Sequence, residues 1–171
     1  SLRCRSNPIP QPNPDRRPEM AGPDRYLLGP QLLIGLCGKE ARAVQWSATV
    51  QESDCVLSRL AIAIVRSVIN TGSTSEVQRQ DWHQALSATV SRMEAGGATL
   101  VDLNESILEL FYEYRTHAPL DYKTPRGHAP LAQDVRLLVT TAAVMDLVYT
   151  EYADLYMRQL QTGTNVRVQP L

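Results

Sequence analysis

The sequence has no long apolar run and almost no net charge, and these two absences exclude several classes of protein. Its longest apolar segments, Leu32–Cys37 and Leu60–Val65, are far too short to span a bilayer. The first 20 residues lack the apolar stretch of a secretory signal. A net charge of −1 argues against binding nucleic acid or membranes through overall charge. We therefore expect an intracellular protein without a membrane partner. It would act in the cytoplasm of its own cell, or in the cytoplasm or nucleus of a host cell.

Cysteine and histidine are too few and too scattered to predict a metal or redox site. The three cysteines, Cys4, Cys37 and Cys55, are widely separated, and no two of them have the spacing of metal ligands. The three histidines show no i, i+4 pair. This pattern predicts reduced thiols and no metal site.

Motifs for catalysis or nucleotide binding are also missing. The sequence has no Walker pattern, no GxGxxG and no GxSxG. The absence of these motifs predicts a protein that has no cofactor and is not an enzyme.

The distribution of proline divides the chain. Seven of the 11 prolines lie in residues 1–30, and none occurs from Gln31 to Ala118. Proline prevents helix formation and removes backbone donors, which favours an extended arm over residues 1–30. We predict a single domain over residues 31–171.

The segment from Asp134 to Leu160 has the most pronounced helical pattern. It lacks Gly and Pro, its apolar residues recur at helical spacing, and Pro130 and Gly163 flank it. This predicts one helix about 40 Å long at about 1.5 Å per residue.

Three shorter helices are predicted between the arm and the long helix. They run from Ser53 or Asp54 to Ile69, from the Ser73–Glu76 capping box towards Gly96, and from Thr99, Asp102 or Asn104 to Tyr114. The alternation of Val44, Trp46, Ala48 and Val50 favours a strand that pairs with residues 31–37 in a hairpin, although a helix is the alternative there. The fold class predicted is therefore mainly α, a bundle of about four main helices with a minor β element near residues 31–51, or else all-α. The tail could add an edge strand through Val166 and Val168.

Two groups of residues are candidates for binding. The first is a basic segment between helices that could bind an anion or nucleic acid; it comprises Arg115, His117, Lys123, Arg126 and His128. The second group are interface candidates, because tyrosine suits surfaces that are apolar on one side and arginine suits acidic partners; it comprises Tyr149, Tyr152, Tyr156, Arg16 and Arg17.

These features together favour a non-enzymatic protein-interaction or assembly subunit, structural or accessory and possibly viral. The proline-rich arm and the long last helix would make its contacts, to itself or to a protein partner. The alternative is a nucleic-acid-binding protein that uses the arm arginines and the basic segment. An anion-binding enzyme built on that segment is the third hypothesis.

Overall fold

The computed structural model describes residues 23–114, 121–124, 127–163 and 166–171. Helices and strands alternate along the described chain. The strands are β1 Tyr26–Leu28, β2 Cys55–Ser58, β3 Thr99–Val101, β4 Asp121–Thr124, β5 Gly127–Pro130, β6 Val148–Glu151 and β7 Val168–Pro170. The helices are α1 Pro30–Cys37, α2 Ala41–Ser47, α3 Arg59–Gly72, α4 Glu76–Ala95, α5 Glu105–Tyr114, α6 Gln133–Met145 and α7 Leu155–Gly163.

Five of the strands form one sheet in which every pairing is parallel, in the order β3-β2-β1-β6-β7. Strand β1 lies at the centre, within residues 1–30. From β1 the chain moves outward through β2 to β3, and it then returns past β1 to β6 and β7. The direction of winding therefore reverses between β1 and β6. Strands β4 and β5 form a separate antiparallel pair.

Each face of the sheet is covered by helices, as a parallel sheet requires. Leu27 and Val56 point into one core, where they pack with residues of α6 and α7 such as Leu138 and Met157. Their neighbours Leu28 and Leu57 point into the other core, with residues of α1, α2 and α4. Successive side chains of each strand therefore point to opposite faces of the sheet and contribute to two separate cores.

The predicted mainly helical bundle, and its all-α alternative, are wrong, because the protein is a mixed α/β fold. The long helix expected from Asp134 to Leu160 is instead α6, β6 and α7. The break lies at Asp146, which ends α6 in the left-handed conformation with φ 52°. Aspartate tolerates this conformation, so the helix ends without the glycine that the sequence analysis required.

The predicted hairpin near residues 31–51 is also wrong, since both of its runs are helices, α1 and α2. The alternation that suggested a strand is misleading: Ala43 and Trp46 are buried at helical spacing, while Val44 is 45% exposed. The next helix begins later than predicted. Cys55–Ser58 precede it as strand β2, whose residues are all buried, so that no polar alternation marked it as a strand.

Three local predictions are confirmed. Helix α4 ends before Gly96, as predicted. Its N-cap is Ser75 and not the predicted Ser73, and the Ser75 side chain accepts a hydrogen bond from the Gln78 amide. Helix α5 begins after Asn104, whose Oδ1 accepts from the Ile107 amide at 3.0 Å. The tail forms β7 at the edge of the sheet.

Candidate active site at the carboxyl edge of the sheet

The reversal of winding between β1 and β6 lies where this class of fold binds its ligands. In open α/β sheets, ligands bind beyond the carboxyl ends of the strands where the direction of winding changes. The chain leaves β1 through Gly29 into α1, and it leaves β6 at Glu151 towards α7. The beginnings of α1 and α7 therefore flank this point.

Glu151 is the central polar residue of this place, and its carboxylate caps helix α1 from the end of another strand. Its Oε1 accepts from the Leu32 amide at 2.8 Å, and its Oε2 accepts from the Gln31 amide at 3.0 Å. Helix α1 has no side-chain cap of its own and no acidic residue in its first turn. Glu151 thus supplies the negative charge that the amino terminus of α1 favours.

Glycine at position 29 makes this contact possible. A Cβ there would overlap Oε2 of Glu151 and lie 3.0 Å from its Cβ. Gly29 has φ −71° and ψ 161°, a conformation open to any residue, so the requirement for glycine is steric. The end of β1 and the side chain of Glu151 are therefore fitted to each other.

The pKa of Glu151 is raised to about 7, chiefly because burial desolvates the carboxylate. The side chain is 1% exposed, the only carboxylate among the described residues that is so deeply buried. Backbone amides of Tyr152, Gln31 and Leu32 lower the pKa and partly offset this effect, while Asp154 raises it. A carboxyl group with this pKa can give or take a proton near neutral pH.

Asp154 caps the second helix at this point. Its Oδ1 accepts from the Tyr156 amide at 3.0 Å and from the Met157 amide at 3.2 Å. The amino termini of α1 and α7 therefore each hold a carboxylate of the chain itself. A substrate anion at this edge would have to meet other positive groups.

Two arginines lie near this edge of the sheet, and each has a carboxylate beside it. The guanidinium of Arg42 lies 4.6 Å from the centre of the Tyr152 ring. The Tyr152 hydroxyl donates to Glu40, and this hydrogen bond lowers the pKa of the Glu40 carboxyl. Arg59 begins α3 directly after β2, and its Nε lies 3.0 Å from Oδ1 of Asp102. The carboxyl edge thus presents guanidinium groups as well as a buried acid.

The residues predicted as an anion site are only partly described. Arg115, His117 and Arg126 lie outside the described residues. Lys123 and His128 are cross-strand partners in the pair β4–β5, so the structure does bring their backbones together. Their role in anion binding stays a prediction.

The residues predicted as an interface are dispersed. Arg16 and Arg17 lie outside the described residues. Tyr149 is fully buried, and burial raises its pKa well above the usual value. Tyr156 is half-buried, whereas Tyr152 joins Glu40 at the carboxyl edge. These tyrosines therefore do not lie along one helix, because Tyr149 is on β6, Tyr152 follows it and Tyr156 is on α7.

The described residues include no group of three or more His, Cys, Asp or Glu side chains that could hold a metal ion. In this part of the chain, no helix is long and apolar enough to cross a membrane.

Known proteins resemble the chain in fold and not in sequence. No family model and no curated protein sequence matches it. Among solved structures, VapBC2 from Rickettsia felis, bound to a DNA fragment from their promoter, superposes with a TM-score of 0.62 at 14% identity, over 85% of this chain and 97% of that chain. A toxin–antitoxin complex from Klebsiella pneumoniae gives a TM-score of 0.55 at 17% identity, over 85% and 98%.

A third structure is VapC20 from Mycobacterium tuberculosis, a sarcin–ricin loop cleaving toxin, with a TM-score of 0.52 at 11% identity over 75% of this chain and 88% of that chain. The chain shares its fold with a bacterial toxin. Identities this low establish the fold alone.

These findings correct the functional predictions. The non-enzymatic structural or assembly subunit, possibly viral, was inferred from a helical bundle with a long contact helix, which the protein does not have. The expectation that the protein is not an enzyme is contradicted as well, because the fold is shared with a cleaving toxin. The alternative of a nucleic-acid-binding protein that uses the arm and the basic segment has no support either.

Sequence reasoning missed the residues at the carboxyl edge. Glu151 and Asp154 lie within the predicted long helix, Asp134–Leu160, and the sequence analysis gave neither of them a role. The signal that could have found them is the run Val148–Thr150, which is rich in β-branched and aromatic residues and precedes Glu151.

Proposed function

We propose that this protein is a nuclease of the toxin type that cleaves RNA, with its centre at the carboxyl edge of β1 and β6. The observation that carries the proposal is Glu151, a buried carboxyl with a pKa of about 7, at the point where the winding of the sheet reverses. The likeness in fold to a sarcin–ricin loop cleaving toxin supports it, since that loop is an RNA element.

The proposed role of Glu151 is to move a proton during cleavage. Its Oε1 accepts hydrogen bonds from the amides of Leu32 and Tyr152, both at 2.8 Å, whereas its Oε2 accepts only that of Gln31. Oε2 therefore keeps a lone pair that can take a proton from a water as the water oxygen attacks phosphorus. The P–O bond to one ribose oxygen breaks in the same step, and that oxygen leaves with a proton taken from solvent. Because Glu151 is buried, a substrate can reach its carboxylate only if the side chains that cover it move.

The prediction of a protein partner is retained in a more specific form. We propose that the chain acts inside the cell and is held in check by a second, antitoxin-like protein. The solved complexes that share its fold support this pairing. Expression of the chain alone should then slow the growth of a bacterial host.

The test is cleavage of labelled oligonucleotides by the purified full chain. The panel consists of a single-stranded RNA, a stem-loop with the sarcin–ricin sequence, and DNA versions of both, each incubated with Mg²⁺ or with a chelator. We expect fragments from RNA, and a loss of about 100-fold or more in rate for Glu151→Gln, in line with the usual contribution of a general base.

The control is Glu109→Gln, which removes one carboxylate from the exposed side of α5. It should cleave as the unmodified protein does. The proposal is wrong if no RNA in the panel is cut. The assignment of Glu151 alone is wrong if RNA is cut equally well by a folded Glu151→Gln variant.

A further inference from the structure

A groove between α3 and α4 is the second feature of the molecule that suits a phosphate-containing ligand. Its volume is about 430 Å³, and Arg59, Arg66, Ser87, Ser91 and Glu94 are among its lining residues. This volume lies within the range of small-ligand sites, roughly 300–1,000 Å³. Its lining is mixed, with apolar side chains at the base and polar ones along the walls.

Arginine forms one wall of the groove. Arg59 and Arg66 are seven residues apart on α3, so they lie on the same face of the helix, separated by about 10 Å along its axis. One strand of a stacked nucleic acid advances about 3.4 Å per phosphate, so this separation corresponds to about three phosphates. Guanidinium groups at this spacing can each contact a phosphate of the same strand.

Both guanidinium groups have nitrogen atoms that can bind a ligand, although Arg59 also forms an ion pair. Arg66 is exposed and forms no salt bridge with any residue that the structure describes. Arg59 contacts Asp102 through Nε, and its side chain is 61% exposed, so its terminal nitrogens still face solvent. An exposed ion pair of this kind contributes little to stability and yields readily to a competing anion.

The opposite wall, on α4, carries hydroxyl donors. Ser87 and Ser91 are one helical turn apart and both are exposed within the groove. Among the described residues, Glu94 is the only carboxylate that lines it. Among the lining residues, arginine outnumbers carboxylate by one, which favours an anionic ligand that displaces Asp102 from Arg59.

The position of the groove connects it to the proposed centre. Arg59 is the first residue of α3 and follows β2, the neighbour of β1, so its end of the groove lies at the carboxyl edge of the sheet. The amino termini of α1 and α7 at that edge already hold Glu151 and Asp154. Positive charge for a substrate backbone must therefore come from side chains such as these arginines.

We propose that the α3–α4 groove binds the phosphate backbone of single-stranded RNA, through Arg59 and Arg66, as the strand leads to the carboxyl edge. This inference rests on the proposed function, for which it names the surface that holds the substrate. An acidic segment of a protein partner is the competing occupant, and the test separates the two.

The test measures binding of a fluorescent 2′-O-methyl RNA 12-mer by anisotropy at several salt concentrations in the presence of a chelator, and a gel checks after each titration that the strand is intact. We expect Arg66→Glu to weaken binding at least about ten-fold, and Arg66→Ala to reduce the slope of log K against log salt by about 1. Glu94→Gln should strengthen binding about two-fold or more, a gain that misfolding cannot produce. The matched control is Arg25→Glu, which makes the same charge change next to the opposite end of β1 and should bind with less than a two-fold change.

Each outcome decides between hypotheses. If the 12-mer binds and neither Arg66→Glu nor Glu94→Gln alters its affinity, the groove is not the RNA surface, although the proposed function stands. If the unmodified protein neither binds the 12-mer nor cuts RNA, the proposed function itself fails. If an acidic peptide such as poly-glutamate binds more tightly than the 12-mer and loses affinity in Arg66→Glu, the groove is a protein-docking surface and our inference is wrong.

Discussion

The carboxylate of Glu151 at the end of β6 accepts a hydrogen bond from the Leu32 amide in the first turn of α1, at 2.8 Å and across 119 residues of chain. This contact joins the helix that leaves β1 to the strand beside β1. It also places an ionisable group within the fold where burial raises its pKa to about 7. The stability of the protein and the chemistry of the candidate site thus depend on the same side chain.

The first prediction concerns the effect of pH on stability. The pKa of Glu151 is about 7 in the folded protein and near 4.5 when the chain is unfolded, so between these values the folded state binds more protons. The free energy of unfolding should therefore fall as pH rises from 4.5 to 7, by on the order of 3 kcal/mol from this group. Glu151→Gln removes that dependence, whatever its effect on stability at a single pH.

Urea unfolding at pH 5, 6, 7 and 8 measures this effect as the difference between the unmodified protein and Glu151→Gln. As pH rises, the free energy of unfolding of the unmodified protein should fall relative to that of Glu151→Gln. The difference between the unmodified protein and Glu109→Gln, which changes the exposed side of α5, should show no such trend. Parallel curves for the unmodified protein and Glu151→Gln would show that the buried carboxyl does not titrate in this range.

The second prediction concerns Gly29. In Gly29→Ala the added Cβ meets Oε2 of Glu151, so either the strand end or the cap of α1 must move. We expect a loss of about 2 kcal/mol or more in the free energy of unfolding, as for other overpacked positions. In the control, Gly72→Ala, a Cβ meets nothing within 4 Å, and stability should stay level or rise by up to about 1 kcal/mol. Equal stability of the two variants in thermal unfolding would contradict the steric role of Gly29.

The third prediction concerns the contact between Gly35 and Tyr152. A Cβ at position 35 would overlap the Tyr152 hydroxyl and would lie 3.1 Å from the Cβ of Ala43. Gly35→Ala should therefore cost about 1–3 kcal/mol. Tyr152→Phe removes the overlapping oxygen, so the double variant should lose less than the sum of the two single changes, by about 1 kcal/mol. Additive losses in this cycle would show that the hydroxyl is not the obstacle.

The fourth prediction concerns Lys39, which has a left-handed backbone, with φ 54°, between α1 and α2. Residues with a side chain adopt this conformation at a cost of about 1–2 kcal/mol, whereas glycine adopts it freely. Lys39 is exposed, so little packing is lost when it is replaced. Lys39→Gly should raise the free energy of unfolding by about 0.5–1 kcal/mol, and Lys39→Ala should leave it unchanged. A loss in chemical unfolding for the glycine variant would show that the lysine side chain stabilises the fold.

Local sequence signals identified those elements that end with ordinary caps and lie partly in solvent. Helix α4 has a serine cap before it and Gly96 after it, and α5 begins at Asn104. The edge strand β7, Val168–Pro170, is half-buried, and the apolar residues Val166 and Val168 alternate with polar ones where it begins. In each case the information lies within a few residues, where hydrogen bonds from side chain to backbone decide where an element begins.

The central strands escaped detection for a physical reason. Strand β2 is buried on both faces, and strand β6 likewise, so neither alternates between apolar and polar residues. The apolar residues of these strands can be read as a continuation of the helical pattern beside them. Between α6 and β6 the chain turns at Asp146 in the left-handed conformation, so no glycine marks the end of the helix.

The sequence by itself determined the alternation of apolar and polar residues, the end of α4 before Gly96, the Asn104 cap of α5, and the lack of a metal-binding or nucleotide-binding motif. Only the tertiary structure decided that the strands lie parallel in one sheet, that Glu151 meets the first turn of α1, and that Arg59 and Arg66 face Glu94 across a groove. The physical reason is distance along the chain. Caps and helical faces depend on neighbours within about one or two turns. The carboxyl of Glu151 has a raised pKa because the whole fold buries it, and it accepts hydrogen bonds from residues more than 100 positions away.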